Sequence, residues 1–211
     1  MAGNYLIKTF KKMNSMEKYI KRQLSESIKT KQKILSNEEV INLIDSVAEV
    51  CTKAYQNNNK TLLGGNGGSA ADAQHIAGEF VSRFYFDRPG IPSIALTTDT
   101  SILTAIGNDY GYEQLFARQI QAQGNSGDVF FAISTSGNSK NLLEALKIAK
   151  KKRIITVGLT GESGGVMAKL CDFCIKVPSQ ETPRIQEAHI TIGHIICSIV
   201  EENLFGKEYR S

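Results

Sequence analysis

Apolar positions along the chain change their period once. From Met16, the residues Ile20, Leu24, Ile28 and Leu35 recur at helical spacings. A second helical stretch passes through Val40, Leu43, Val47 and Val50 to about Tyr55. Ser36-Asn37-Glu38-Glu39 fits a capping box at its start, and Asn57-Asn58-Asn59 is the turn that ends it. Beyond that turn, short apolar runs alternate with amphipathic segments. Strands are predicted at 61–63, 93–97, Val129–Ile133, 154–159 and 173–177. Helices are predicted at 70–83, from the Asp99/Thr100 cap toward 106, at 112–121, at Lys140–Lys151, briefly at 164–170, and at 183–205 with Pro183 in the first turn. Val129-Phe130-Phe131-Ala132-Ile133 is apolar throughout, as in a strand buried on both faces. Strands separated by helices require right-handed parallel crossovers. The expected fold class is therefore α/β, a three-layer αβα sandwich with a mainly parallel sheet of about five strands and added N-terminal helices. The chain divides into a basic extension (1–15), N-terminal helices (16–60) and a core (61–211) that forms one structural domain with those helices.

Composition narrows the class. At 211 residues a single domain with a full core is expected, and 41% hydrophobic with 22% charged residues is ordinary for a soluble globular protein. No run of about 18 apolar residues is present to span a membrane, and the N-terminus lacks a signal-type apolar segment, so a cytoplasmic location is expected. Cys171 and Cys174 form a C-x-x-C, but it leads into a strand rather than opening a helix. With Cys51 and Cys197 they are expected to be buried structural thiols. A net charge of +4 suits a small anionic substrate without requiring nucleic acid. The nine Lys/Arg against two Glu in 1–33 are read as a solvated helix face rather than a nucleic-acid or membrane arm.

Two loops carry the candidate chemistry. Gly64-Gly65-Asn66-Gly67-Gly68-Ser69 joins a strand to an Ala-rich helix and turns backbone N–H groups toward the positive end of the helix dipole, where an anion sits favourably. It is not a nucleotide P-loop, since no Gly-Lys-Ser/Thr follows. For a dinucleotide fingerprint, no acidic residue ends a strand about 20 residues further on. Ser134-Thr135-Ser136-Gly137-Asn138-Ser139 lies between the buried strand and the next helix. One hydroxyl is enough to cap a helix; four, with the backbone amides, predict neutral donors for a monophosphate sugar.

His75 and Glu79 are four apart on the helix after the first loop, so they project from one face. In the closing helix, Ile185, Ala188, Ile192, Ile195, Ile196 and Ile199 form the expected core stripe, with Gln186 and His194 on a neighbouring face. A structural role for each of the three histidines and a metal site built from His75, Glu79 and a later histidine are both open at this point.

Gly-Asn-Gly-Gly-Ser, Ser-Thr-Ser-Gly-Asn-Ser and Thr-Pro-Arg-Ile-Gln-Glu-x-His, in that order and spacing, resemble the phosphoheptose isomerases, enzymes of the sugar-isomerase (SIS) domain type with a flavodoxin-like sheet. The resemblance covers about residues 16–205; either loop alone would mark only the wider superfamily. It implies a homotetramer with sites at subunit contacts and one zinc per subunit. The implied reaction interconverts sedoheptulose 7-phosphate and D-glycero-D-manno-heptose 7-phosphate, for a surface polysaccharide such as lipopolysaccharide or capsule. Carried over, it implies that Ser134, Thr135, Ser136 and Ser139 hold the phosphate. Asn66, Gly67, Gly68, Ser69, Glu79, Asn108, Asp109 and Gln186 would contact the sugar. Glu79 and His194 would be the acid/base pair, and His75, Glu79, Gln186 and His194 the zinc ligands. Residues 1–15 and Ala70-Ala71 depart from the pattern.

The chemistry these groups allow is proton shuttling between C1 and C2 by Glu79 through a cis-enediol, with His194 moving protons among the oxygens. Gln186 and His194, eight apart, are separated by about 12 Å along a straight helix, so a site with one ligand donated across a subunit contact is expected. A competing reading is a non-catalytic SIS-domain adaptor that binds a replication-initiation protein, and a third is a sugar-phosphate-sensing regulator paired with a DNA-binding domain. The full His75/Glu79/Gln186/His194 set favours the enzyme, because an adaptor has no physical need of it.

Overall fold

The computed structural model describes residues 2–209, with side chains from Ser15 onward; the basic residues of the expected N-terminal extension lie outside the described side chains. Eight α-helices and five strands follow one another. They are α1 (Ala2–Leu35), α2 (Glu38–Gln56), β1 (Thr61–Gly65), α3 (Gly68–Val81), β2 (Ser93–Ala95), α4 (Thr100–Asp109), α5 (Leu115–Gln123), β3 (Val129–Ile133), α6 (Lys140–Lys151), β4 (Ile155–Thr160), α7 (Met167–Leu170), β5 (Phe173–Lys176) and α8 (Thr182–Tyr209). All strand pairs are parallel, in the order β2-β1-β3-β4-β5. The expected α/β sandwich is therefore present.

Side-chain alternation builds the two faces. Leu63, Val129, Phe131, Ile133, Val157 and Leu159 pack into one cluster with α2, α3 and α8. Leu62, Phe130 and Ala132 point the other way, into a second cluster with α5 and α6. A strand pleat sends neighbouring residues to opposite faces, which is why β3 must be apolar at every position.

Several boundaries differ from expectation. Asn37, not Ser36, caps α2: its Oδ1 accepts from the Val40 N–H at 3.2 Å, while the Ser36 hydroxyl turns back to the Lys33 carbonyl. The helix expected at 112–121 is a 3-10 turn, Tyr112–Gln114, followed by α5. On α8, Ile195 is exposed and His189 is buried, because the buried positions step 185, 188/189, 192/193, 196/197 and 200. The apolar stripe of α1 is also uncovered. Met16, Tyr19, Ile20, Leu24, Ile28 and Leu35 are each more than half exposed, and only Thr30 and Ile34 of the described α1 side chains are buried.

All four thiols are free; Cys51 and Cys197 are buried as expected, while Cys171 and Cys174 are half-buried beside Gly158. Burial pushes the Cys171 thiol up to about 12, which keeps it unreactive. Among the described residues no helix is long and apolar enough to cross a membrane.

Three features position the site. The strand order reverses between β1 and β3, and ligands of open α/β sheets bind outside the carboxyl ends of strands at such a switch point. Gly65 pairs in register with Ile133, so the glycine loop and the hydroxyl loop leave the sheet side by side. Finally, α3 packs against α8 through Gly193, where a Cβ would stand 2.6 Å from Ile76. Glycine there lets the two helices approach closely enough for their side chains to meet.

Candidate active site

The glycine loop hands β1 to α3 through Gly67, whose φ of 56° is a left-handed conformation that favours glycine. No side chain caps α3. The Ser69 and Ala70 N–H groups instead donate to the Asn66 and Gly67 carbonyls, both at 3.0 Å. Gly67 and Gly68 are exposed at the mouth, Asn66 is half-buried, and Ser69 is buried. Asn66 turns its amide toward Asn141 of α6 and Tyr112.

The hydroxyl loop is not an elaborate cap. Ser139 occupies the N-cap position of α6, yet its hydroxyl makes no capping bond and faces Ser134 at 2.9 Å. Ser134 also lies 3.4 Å from Ser136. A cleft of about 580 Å³ opens beside this loop, lined by Thr135, Ser136, Asn138, Ser163, Ser179 and Ile185. Ser134 is buried beneath it. Glu162 stands on the same cleft, its Oε2 accepting from Gln180 at 3.1 Å.

His75, Glu79 and His194 converge within one chain. His75 Nε2 lies 3.0 Å from Glu79 Oε1 and 3.3 Å from His194 Nε2, and one ligand atom from each of the three falls within 4.8 Å of the others. The two imidazoles meet edge to face, with centroids 4.9 Å apart, and Phe84 packs on His194 at 5.6 Å. A cluster assembled from α3 and α8 of the same chain needs no ligand donated across a contact. Two imidazole nitrogens and a carboxylate oxygen are a zinc donor set that leaves a coordination position for water or substrate, so the residues fit that ion.

Gln186 sits beside the glycine loop. Its amide is packed against Gly68, about 10 Å along α3 from His75. The α3–α8 pair therefore carries Gln186 at the glycine-loop end and the three-residue cluster two turns further on. Asn108 and Asp109 end α4 as exposed residues, bonded to one another at 2.8 Å, and line neither loop's cleft.

Other groups near the site went unread in the sequence. Asp72, one turn ahead of His75, is half-buried with no partner for Oδ2. Burial pushes its carboxyl up to about 6 against the opposing pull of His75. Its three-residue spacing from His75 was the available signal. Thr97, Thr104 and Tyr112 line a second cleft, of about 300 Å³, beside Asn66 and Gly67. They come from three separate segments, and no spacing links them.

A sheet with this switch point, flanked by glycine and hydroxyl loops, is the architecture of a sugar-phosphate-binding SIS domain, and the SIS domain family matches residues 20–161. Phosphoheptose isomerase 2 of Campylobacter jejuni is 70% identical over 197 residues, covering 93% of this chain and 98% of that protein. The phosphoheptose isomerase of Aneurinibacillus thermoaerophilus is 67% identical over 196 residues, covering 93% and 99%. The solved phosphoheptose isomerase of Neisseria gonorrhoeae superposes with a TM-score of 0.83 at 40% identity, covering 89% of this chain and 99% of that one. The chain belongs to the phosphoheptose isomerase family of SIS-domain enzymes.

Proposed function

We infer that the chain is an aldose–ketose isomerase that converts sedoheptulose 7-phosphate to D-glycero-D-manno-heptose 7-phosphate in the cytoplasm, supplying heptose to a surface polysaccharide. The observation that carries this is the meeting of a carboxylate and two imidazoles two helical turns from paired glycine and hydroxyl loops, in a chain of this family. An adaptor gains nothing from convergent ligands of this kind. A regulator that only senses sugar phosphate needs the loops but not the cluster.

In this reading the phosphate sits on Thr135, Ser136 and Ser139, with the buried Ser134 fixing the Ser139 hydroxyl. The exposed backbone of Gly67 and Gly68 and the Gln186 amide hold the sugar between the two ends, and Asn66 and Ser69 shape that loop. Glu79 turns Oε1 to His75, so Oε2 is assigned the proton that moves between C1 and C2. His194, braced by Phe84, moves protons among the sugar oxygens during ring opening and enediol formation. Zinc would be held by His75, Glu79 and His194. When bound it would polarise the carbonyl and stabilise enediolate charge.

The exposed apolar stripe of α1 supports assembly into the expected homotetramer, since an apolar patch of this kind marks an interaction face. Asn108 and Asp109, away from the clefts of their own chain, would reach sugar only from a neighbouring copy. Purified protein incubated with sedoheptulose 7-phosphate should form the aldose, and removal of metal by a chelator should abolish conversion until zinc is restored. No conversion in the zinc-loaded protein refutes the isomerase assignment. Full conversion after complete metal removal refutes a catalytic ion.

A further inference from the structure

Asn66 is the only residue of 64–68 with a side chain, and its carbonyl oxygen is already fully used. Tyr112 Oη donates to Asn66 Oδ1 at 2.9 Å, and Asn141 Nδ2 donates to the same oxygen at 2.9 Å. Asn66 Nδ2 returns a bond to Asn141 Oδ1 at 3.0 Å. The Leu142 backbone N–H also donates to Asn141 Oδ1, at 3.0 Å. A backbone N–H can only donate, so the atom it meets is oxygen. That orients the Asn141 amide, hence the Asn66 amide, and makes the Tyr112 hydroxyl the donor. Both lone pairs of the Asn66 oxygen are filled, which closes it to a sugar hydroxyl.

The placement of this amide pair gives it a second use. Asn141 is 2% exposed and sits at the second position of α6, directly behind the hydroxyl loop. Asn66 sits in the glycine loop, between β1 and α3. The reciprocal pair therefore spans the switch point between β1 and β3, joining residues 75 apart in sequence. Tyr112 ties the same point to the wall of the cleft beside Asn66. One loop carries the phosphate donors, and the other leads into the helix that carries His75 and Glu79.

We propose that Asn141 and Tyr112 are positioning residues which, acting through Asn66, fix the separation of the phosphate-binding hydroxyls from Glu79 and thereby set the sugar chain length the enzyme accepts. The proposal rests on the sugar-phosphate isomerase reading above. A phosphate anchored at one loop delivers its carbonyl to Glu79 only if the intervening carbons match that separation. A displacement of about 1 Å costs about 10²-fold in rate, so a rigid spacing discriminates against a sugar one carbon shorter.

Tyr112→Phe removes one hydroxyl from an exposed ring, and Asn141→Asp keeps the acceptor while deleting the donor to Asn66. Each variant, and the wild type, is assayed on ribulose 5-phosphate, fructose 6-phosphate and sedoheptulose 7-phosphate, with inorganic phosphate as a competitive probe of the hydroxyl loop. Loss of one hydrogen bond from the clamp should lower kcat on the seven-carbon substrate about fivefold to tenfold. The preference for seven carbons over six should narrow by at least about threefold, while inhibition by inorganic phosphate stays within about twofold of wild type. An unchanged chain-length preference in both variants overturns the proposal even if stability falls, and a change in Asn141→Asp alone overturns the role of Tyr112. Wild type inactive on every sugar overturns the isomerase reading, and the clamp's role with it.

Discussion

Glu201 provides the sharpest test of how the fold supports the site. It is 1% exposed on α8 and accepts three bonds: from the Phe84 N–H at 2.7 Å, the Tyr85 N–H at 2.7 Å and Arg88 Nε at 3.0 Å. Arg88 spends its other donors on the carbonyls of Glu79, Phe80, Ser82 and Pro89. The pair thus pins the segment after α3, which carries the Phe84 ring packed on His194. In Glu201→Gln the side-chain shape is kept but a buried guanidinium loses its counter-charge. Whichever way the amide turns, its NH₂ faces a donor. Removing one member of such a pair costs about 3–5 kcal/mol, because the remaining charge is desolvated without compensation. For a domain of this size that corresponds to a fall in Tm of about 6–20 °C, read by calorimetry at fixed protein concentration because assembly contributes to Tm. Activity measured well below that Tm should also drop, since Phe84 no longer braces His194. A Tm within about 2 °C of wild type would show that the pair neither compensates the charge nor holds the segment.

The remaining expectations are separate from that one. Glu79→Gln should lower kcat by about two orders of magnitude or more with KM little changed, and near-normal turnover would remove Glu79 from the proton transfer. Leu24→Glu with Ile28→Glu places charge on the uncovered α1 stripe; light scattering should show smaller assemblies than wild type, and an unchanged mass would remove that stripe from the interface. His189, fully buried with Nε2 on the Thr160 carbonyl and no partner at Nδ1, is held down to about 4 by burial, below the usual 6.5. Because only the unfolded chain takes up that proton, stability should be complete above about pH 6.5 and fall by up to about 3 kcal/mol as pH drops to 4. Urea unfolding of wild type against His189→Gln should show that difference shrinking with acidity, and a difference independent of pH would contradict a buried neutral imidazole.

What the sequence could disclose follows from how local each cause is. The run Val129–Ile133 had to be a doubly covered strand, because any register of the pleat buries an apolar side chain on each face. His75 and Glu79 share a helix face by spacing alone. His194 joins them for a reason written in a different residue: Gly193 lets α8 approach Ile76, a contact between segments more than a hundred positions apart that no periodicity encodes. The same packing sets the Gln186 amide beside Gly68, at the glycine-loop end of the α3–α8 pair, a placement that its spacing of eight from His194 does not disclose. The α1 stripe shows the opposite limit. Its helical period was legible, but a single chain supplies nothing to cover it, and a pattern that specifies an apolar face does not specify what that face meets. Legibility therefore ends where a position's environment is supplied by residues it does not neighbour, and in this fold those are the positions where the Glu79 carboxylate and the two imidazoles are brought together.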